Sequence, residues 1–215
     1  MENTVIAIPQ NTDNVVAKML INIVKTQYEK KEKKDIWKLS EWSHIAELEN
    51  DYVGGVGETF LHQLCISSNI PAEIDGTKTK ELGGGCGDGI INGRSIEIKT
   101  ARAGTGDIMS FQHELGEKPW HADFMCFVDI APDKFYITIF PNFTEEQYKQ
   151  CSKCEPYFPT RSFCWRKKSG CFKLDTTEKL NETQSKITDN HTLAWNKDTS
   201  IDNVRQFINK IVTPK

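Results

Sequence analysis

No uninterrupted apolar run of about 18 residues occurs in the chain, so no segment has the length and hydropathy of a membrane-spanning helix. Its start, Met1-Glu2-Asn3, lacks the basic residues and apolar stretch of a secretory signal. Charge of one sign is not in excess. Lys and Arg number 27 against 30 Asp and Glu, leaving a net charge of −3, so any basic surface has to be local. Gly83 to Gly89 is glycine-rich but lacks the Gly-Lys-Ser/Thr ending of a phosphate-binding loop, and no nucleotide cofactor is expected. The five histidines form no His-Glu-x-x-His, no His-x-His and no ββα-metal nuclease loop. Internal repeats, low-complexity tracts and a clear linker are all missing, which favours one domain over residues 1–215. Seven cysteines, an odd number without a secretory cue, point to free thiols in a reducing cytoplasm. Cys151-x-x-Cys154 is a good zinc half-site. Cys164 and Cys171 are a poor second one, being further apart in strand-like sequence, so reduced thiols are the better reading.

What is present is organised around Cys86 to Thr100, C-G-D-G-I-I-N-G-R-S-I-E-I-K-T. Asn92-Gly93 is a strong two-residue hairpin signal, because that turn wants positive φ at both positions. With those two residues as the loop, Ile91 faces Arg94, Asp88 faces Glu97 and Cys86 faces Lys99. One face then carries Cys86, Asp88, Ile90, Ser95, Glu97 and Lys99, and the other carries Gly87, Gly89, Ile91, Arg94, Ile96 and Ile98. Two carboxylates opposed across a ladder destabilise it unless something offsets the repulsion. A divalent cation held by hard oxygens does so, with the Lys99 ammonium beside it. The alternative is an ordinary solvated hairpin face with Lys99 as a counter-charge.

Residues 1–50 read as a helical N-terminal layer, with Val15, Val16, Met19, Leu20, Ile23 and Val24 at helical spacing after Asn11, Thr12 and Asp13. Lys25 to Lys38 reads as a solvated helix face, and Trp37 and Trp42 as packing residues. Asp51 to Ser68 opens with glycines and continues as a helix with Phe60, Leu61, Leu64 and Cys65 as its apolar stripe. Glu58 falls near its first turn, either capping the helix dipole or pointing into the hairpin site. Glu73 to Gly85 reads as a polar connection. Ile108 to His113 alternates as a third strand, where Gln112 is placed to hold a water or phosphate and His113 either joins it or packs against the sheet. Ala122–Ile130 and Phe135–Phe140 are apolar strands suited to a sheet centre covered on both faces. Thr144 to Gln150 starts a short helix, residues 176–200 read as loop, and Ile201 to Val212 as an amphipathic helix.

Residues 151–175 form the one basic, aromatic-rich block. Lys153, Arg161, Arg166, Lys167, Lys168 and Lys173 are interleaved with Tyr157, Phe158, Phe163, Trp165 and Phe172. Arg and Lys contact phosphates, and Arg also reads guanine edges. Edge strands guarded by lysines are the alternative. The DNA-contacting residues expected are Arg161, Trp165, Arg166, Lys167, Lys168 and Lys173, with Gln112 and His113 from the third strand.

Asp88 followed by Glu97-Ile98-Lys99 on the next strand, with Glu58 on an upstream helix and two apolar strands downstream, resembles the PD-(D/E)xK nuclease superfamily. Within it the chain is similar to bacterial type II restriction endonucleases over residues 51–175. Ser110–Glu114, Pro119–Asp123 and Phe163–Arg166 also look like segments of that family. Asp88 follows Gly87 where the family often has proline, which leaves Asp75 as a rival first carboxylate. The resemblance implies an α/β (α+β) fold, a mixed central sheet flanked by helices, with a catalytic core over 51–140 and a DNA-contact region with C-terminal helix over 141–215. It also implies Mg²⁺-dependent cutting of double-stranded DNA by a homodimer. Asp88, Glu97 and the Ile98 carbonyl would hold the metal, Lys99 would serve the attacking water, and Glu58 would support the metal directly or through water.

Overall fold

The computed structural model describes residues 15–30, 35–75, 87–104, 109–116, 121–142, 164–168, 171–188, 190–196 and 198–215. The chain divides into two compact units, residues 1–35 and 36–215, where the sequence suggested one domain. The first unit contains helix α1 (Val15–Lys30), in which Met19, Leu20, Ile23 and Val24 are exposed. The lysine-rich stretch after it is not one continuous helix. Residues 31–34 lie outside the described residues, and in the second unit residues 36–49 form turns and a single 3₁₀ turn, Ser43–Glu47.

The second unit is built on a mixed six-stranded sheet flanked by helices. Its strands are β1 (Ala72–Ile74), β2 (Gly89–Ile91), β3 (Arg94–Arg102), β5 (Phe124–Ile130), β6 (Phe135–Pro141) and β9 (Thr192–Trp195), in spatial order β1-β2-β3-β5-β6-β9. Among the described residues, only β3 and β5 pair in parallel. A parallel pair needs a crossover. Here the crossover passes through β4 (Ser110–Gly116), which joins β7 (Cys164–Lys168) and β8 (Cys171–Thr177) in a second, antiparallel sheet of order β4-β8-β7. The expected third strand therefore exists but stacks over the hairpin's sheet instead of extending it.

The apolar strands β5 and β6 lie inside the sheet as expected, and all but their end residues are buried. One face of the sheet is covered by helix α2 (Asn50–Ser67), with Leu61 and Cys65 buried and Phe60 edge-on to Phe135 at 4.8 Å. Helix α4 (Ile201–Ile211) adds Val204, Phe207 and Ile208 to the same core, and a Ser200–Asn203 capping box sets its start. The second sheet and helix α3 (Glu178–Ser185) cover the other face. There Phe111 meets Tyr136, and His113 meets Phe127 at 4.8 Å. His113 Nε2 lies 2.7 Å from Asp129 Oδ1, and Asn181 Nδ2 donates to Asp129 Oδ2 at 2.6 Å, so the buried Asp129 ties β4 and α3 to β5. Trp37 is buried and Trp42 Nε1 donates to the Ala131 carbonyl, as their packing role required.

The Asn92-Gly93 turn forms as read, with φ of 51° and 75° and the pairs Ile91–Arg94, Ile90–Ser95 and Gly89–Ile96. It is also tied to the C-terminal segment. Asn92 Nδ2 donates to Asn209 Oδ1 and to the Val212 carbonyl, each at 2.8 Å, and the Lys215 N–H donates to the Asn92 carbonyl.

Several expectations fail for identifiable reasons. Glu73 and its neighbours are not a loop but β1, which exists because β2 offers it an edge. Residues 176–200 are not loop throughout. Thr177 caps α3 by accepting from the Leu180 N–H at 3.2 Å, and β9 closes the sheet edge on β6. The helix expected at Thr144 to Gln150 lies outside the described residues. Cys65 and Cys126 are free and buried, and burial pushes the Cys65 thiol up to about 12. Cys164 and Cys171 stand at opposite ends of the β7–β8 ladder, about 13 Å apart along the strand, too far to share one tetrahedral zinc.

Helix α2 meets β3 at Gly57. A Cβ there would stand 1.8 Å from Thr100 Oγ1, whereas a Cβ on the exposed Gly55 would meet nothing within 4 Å. Gly57→Ala is expected to lower the unfolding free energy by about 1–3 kcal/mol. Gly55→Ala is expected to raise it by about 0.5–1 kcal/mol. Urea titrations of both variants measure the contrast, and equal effects would show that α2 does not press on Thr100.

Candidate active site

Strand β2 ends early. Gly89 pairs with Ile96, yet the Asp88 N–H also donates to the Ile96 carbonyl at 2.8 Å, so two residues oppose one in a bulge. Gly87 makes the bend possible, with φ +81° and space for no Cβ, which would fall 2.4 Å from the Ile96 oxygen. Asp88 therefore does not sit directly across from Glu97, as simple alternation required. Its Oδ2 accepts from the Ile98 N–H at 2.7 Å, taking the place of the next ladder bond. Cys86 lies outside the described residues.

Beyond this point β3 runs on to Arg102 with its β2-side edge facing a cleft of about 790 Å³. The first half of α2 forms one wall, with Asp51, Gly54 and Glu58. Strand β4 forms the other, with Ser110, Gln112 and Glu114. Asp88, Ile98, Lys99 and Thr100 line the floor. The N–H and C=O of one strand residue point the same way, so the Ile98 carbonyl is on the cleft side with the N–H that meets Asp88. Lys99 Nζ lies 2.5 Å from Glu97 Oε1. Thr100 Oγ1 is buried without a hydrogen-bond partner among the described residues. Arg102 also borders the cleft, but its guanidinium is held by the Ile45 and Leu48 carbonyls.

Glu58 joins the group from an unexpected position. Helix α2 starts at Asn50, so Glu58 is in its third turn and cannot cap the helix dipole. The glycines read as a helix opening are inside the helix. Burial, with the Asp88 carboxylate next, raises the Glu58 carboxyl above its usual range, against the pull of Lys99. Asp88 is raised by burial, opposed by the Ile98 N–H and Lys99. Glu97, 1% exposed, is pushed up to about 7, chiefly by burial, while Lys99 pulls it down and Asp88 raises it further. Three carboxyl groups thus share one ammonium in a poorly solvated space. That arrangement has room for added positive charge.

The other expected residues are dispersed. Gln112 is exposed on the cleft wall, its Nε2 donating to Asp175 Oδ1 at 2.8 Å. The His113 imidazole is fully buried against Phe127 and Asp129, so it packs the sheet and is not placed to touch DNA. Trp165, Arg166, Lys167 and Lys168 lie on β7 and Lys173 opposite Arg166 on β8. Strand β7 is two strand spacings, about 10 Å, from the cleft wall β4. Arg161 lies outside the described residues. Asp75 is exposed, and its N–H donates to the Asp88 carbonyl at 3.2 Å, so it borders the site while Asp88 holds the inner position. Asp51, Thr100 and Glu114 were missed. They were not singled out as site residues, because α2 and β4 are brought to the β3 edge only by tertiary packing.

Comparison with protein-family models, with curated proteins and with solved structures returns no match to this chain.

The raised Glu97 carboxyl has a stability consequence in the metal-free protein. Between its ordinary 4.5 and about 7 the folded state keeps a proton that the unfolded chain has lost. Stability is therefore greatest below about pH 4.5 as far as this group is concerned, falls as pH rises through about 7, and is flat above. Glu97→Gln is expected to lose less stability than the parent between pH 5 and pH 8 in chelator. Urea midpoints at the two pH values test this, and parallel losses would remove Glu97 as the source.

Proposed function

We propose that the chain is a Mg²⁺-dependent endonuclease that hydrolyses phosphodiester bonds of double-stranded DNA at specific sites, in the manner of type II restriction enzymes. The observation that carries this reading is the convergence of Asp88, Glu97, the Ile98 carbonyl and Lys99 at the open edge of β3, with Glu58 facing them from α2. The donor set fits magnesium. It consists of hard oxygens only, from one or two carboxylates and a backbone carbonyl, and Mg²⁺ keeps several waters of its own. In this conformation no group of three His, Cys, Asp or Glu side chains encloses an ion among the described residues. The fit therefore rests on the carboxylate pair plus Ile98.

Bound there, the metal would supply charge neutralisation at phosphorus and a water deprotonated near neutral pH. Asp88 and Glu97 would hold it, and the Asp88 carboxylate is itself oriented by the Ile98 N–H. The Lys99 ammonium positions the attacking water and opposes charge on the phosphoryl oxygens. Glu58 would support the ion directly or through water, and Gln112 on the opposite wall would orient a phosphate or water. The basic, aromatic β7–β8 hairpin supports DNA contact by Trp165, Arg166, Lys167, Lys168 and Lys173. Two copies of the chain related by a two-fold axis would match a palindromic site and cut both strands.

Digestion of a mapped plasmid by the purified protein is expected to give discrete bands with Mg²⁺ and none with chelator. A smear would replace the site-specific reading by a non-specific nuclease of the same chemistry. Asp88→Ala and Lys99→Ala are each expected to reduce cleavage by at least about 10³-fold, while DNA binding in Ca²⁺ persists. Cleavage retained by either variant sinks the assignment.

A further inference from the structure

Glu97 and the cleft are separated by Lys99. Asp88, Ile98, Lys99 and Glu58 line the cleft, but Glu97 does not. The Glu97 side chain is 2% exposed and that of Lys99 24%, and Nζ rests 2.5 Å from Glu97 Oε1. Alternation along β3 places the two side chains on the same face, Lys99 two residues nearer the cleft's far end. Lys99 is Glu97's one hydrogen-bond partner among the described residues. The ammonium therefore covers the carboxylate on the side from which an ion would arrive.

We propose that Lys99 gates the Glu97 carboxylate: in the metal-free protein its ammonium occupies the position at Glu97 Oε1 that a divalent cation would take, and it swings into the cleft when the ion binds. The proposal rests on the reading of this cleft as a metal site and adds an order of events to it. Two cations on one side of a buried carboxylate repel strongly where water is scarce. The lysine stem is long and its ammonium is a mobile point charge, and the cleft beside it is large enough to receive it. The displaced ammonium stays among acidic groups, since Asp88 and Glu58 already feel its charge. The same movement carries it away from Glu97, within the cleft it already lines, toward the space where a phosphate would lie. The ammonium thus turns from Glu97 toward the substrate space as the site is loaded.

The test measures Mn²⁺ binding to the full chain by calorimetry, without DNA, for the parent, Lys99→Met and Lys99→Gln. Removing the competing charge is expected to tighten Mn²⁺ binding by about tenfold or more in both variants, with a larger Mn²⁺-induced rise in melting temperature than in the parent. Lys99→Gln keeps a hydrogen-bonding end for Glu97 and answers the question if Lys99→Met does not fold. Equal or weaker Mn²⁺ binding by the variants overturns the gate while leaving plasmid cleavage by the parent, and with it the nuclease reading, intact. Absence of Mn²⁺ binding in all three proteins overturns both. Tighter binding by the variants with no cleavage by the parent under any metal keeps the gate and removes the nuclease.

Discussion

The early end of the β2–β3 pairing is the constraint on which the site depends. A bulge at Asp88 and Gly89, which both oppose Ile96, takes Asp88 out of line with Glu97 and turns its carboxylate into the ladder, where it caps the Ile98 N–H. Strand β3 continues through Arg102, so its β2-side edge opens on a cleft in place of another strand. Sheet edges expose backbone donors and acceptors. Here that exposure sits between a helix and a second sheet, on the floor of the cleft.

Two buried carboxylates on the same sheet face illustrate how burial is handled for structure and for chemistry. Asp129 is met by His113 on one oxygen and by Asn181 on the other, which locks β4, β5 and α3 together. Among the described residues Glu97 has only Lys99, next to two further carboxyl groups, and burial drives its carboxyl up to about 7. Both oxygens of Asp129 are thus taken, although His113 Nδ1 is buried without a partner among the described residues, and a buried polar group that is only partly satisfied carries a standing cost. Strained electrostatics of the kind at Glu97 recur at functional sites. The contrast lies within one strand pair, since Glu97 is on β3 and Asp129 on β5.

Much of this was legible locally. Asn92-Gly93 set the turn and the register of the three pairs beside it. The apolar runs of β5 and β6 marked strands covered on both faces, and the Val204, Phe207 and Ile208 spacing marked α4. Asp88, Glu97 and Lys99 were singled out from the same register, although the bulge takes Asp88 out of line with Glu97, and the Ile98 carbonyl came from the family resemblance. The misses share one cause. The helical start at Asn50, the strands β1 and β9, and the helix α3 have weak or polar local patterns and owe their form to a partner edge or face. For His113 the sequence left open a site role or packing against the sheet, and its hold on Asp129, sixteen residues away, decides for packing.

The sequence by itself determined the hairpin, the identity of its acidic and basic groups, and the central apolar strands, because turn chemistry and side-chain periodicity act over a few residues. Only the tertiary structure decided that Glu97 is buried, that Glu58 reaches it from the third turn of a helix, and that Lys99 stands between Glu97 and the cleft. Those facts depend on the second sheet closing over one face of β3 and on α2 pressing against the other at Gly57. No local pattern encodes which face a distant element will cover.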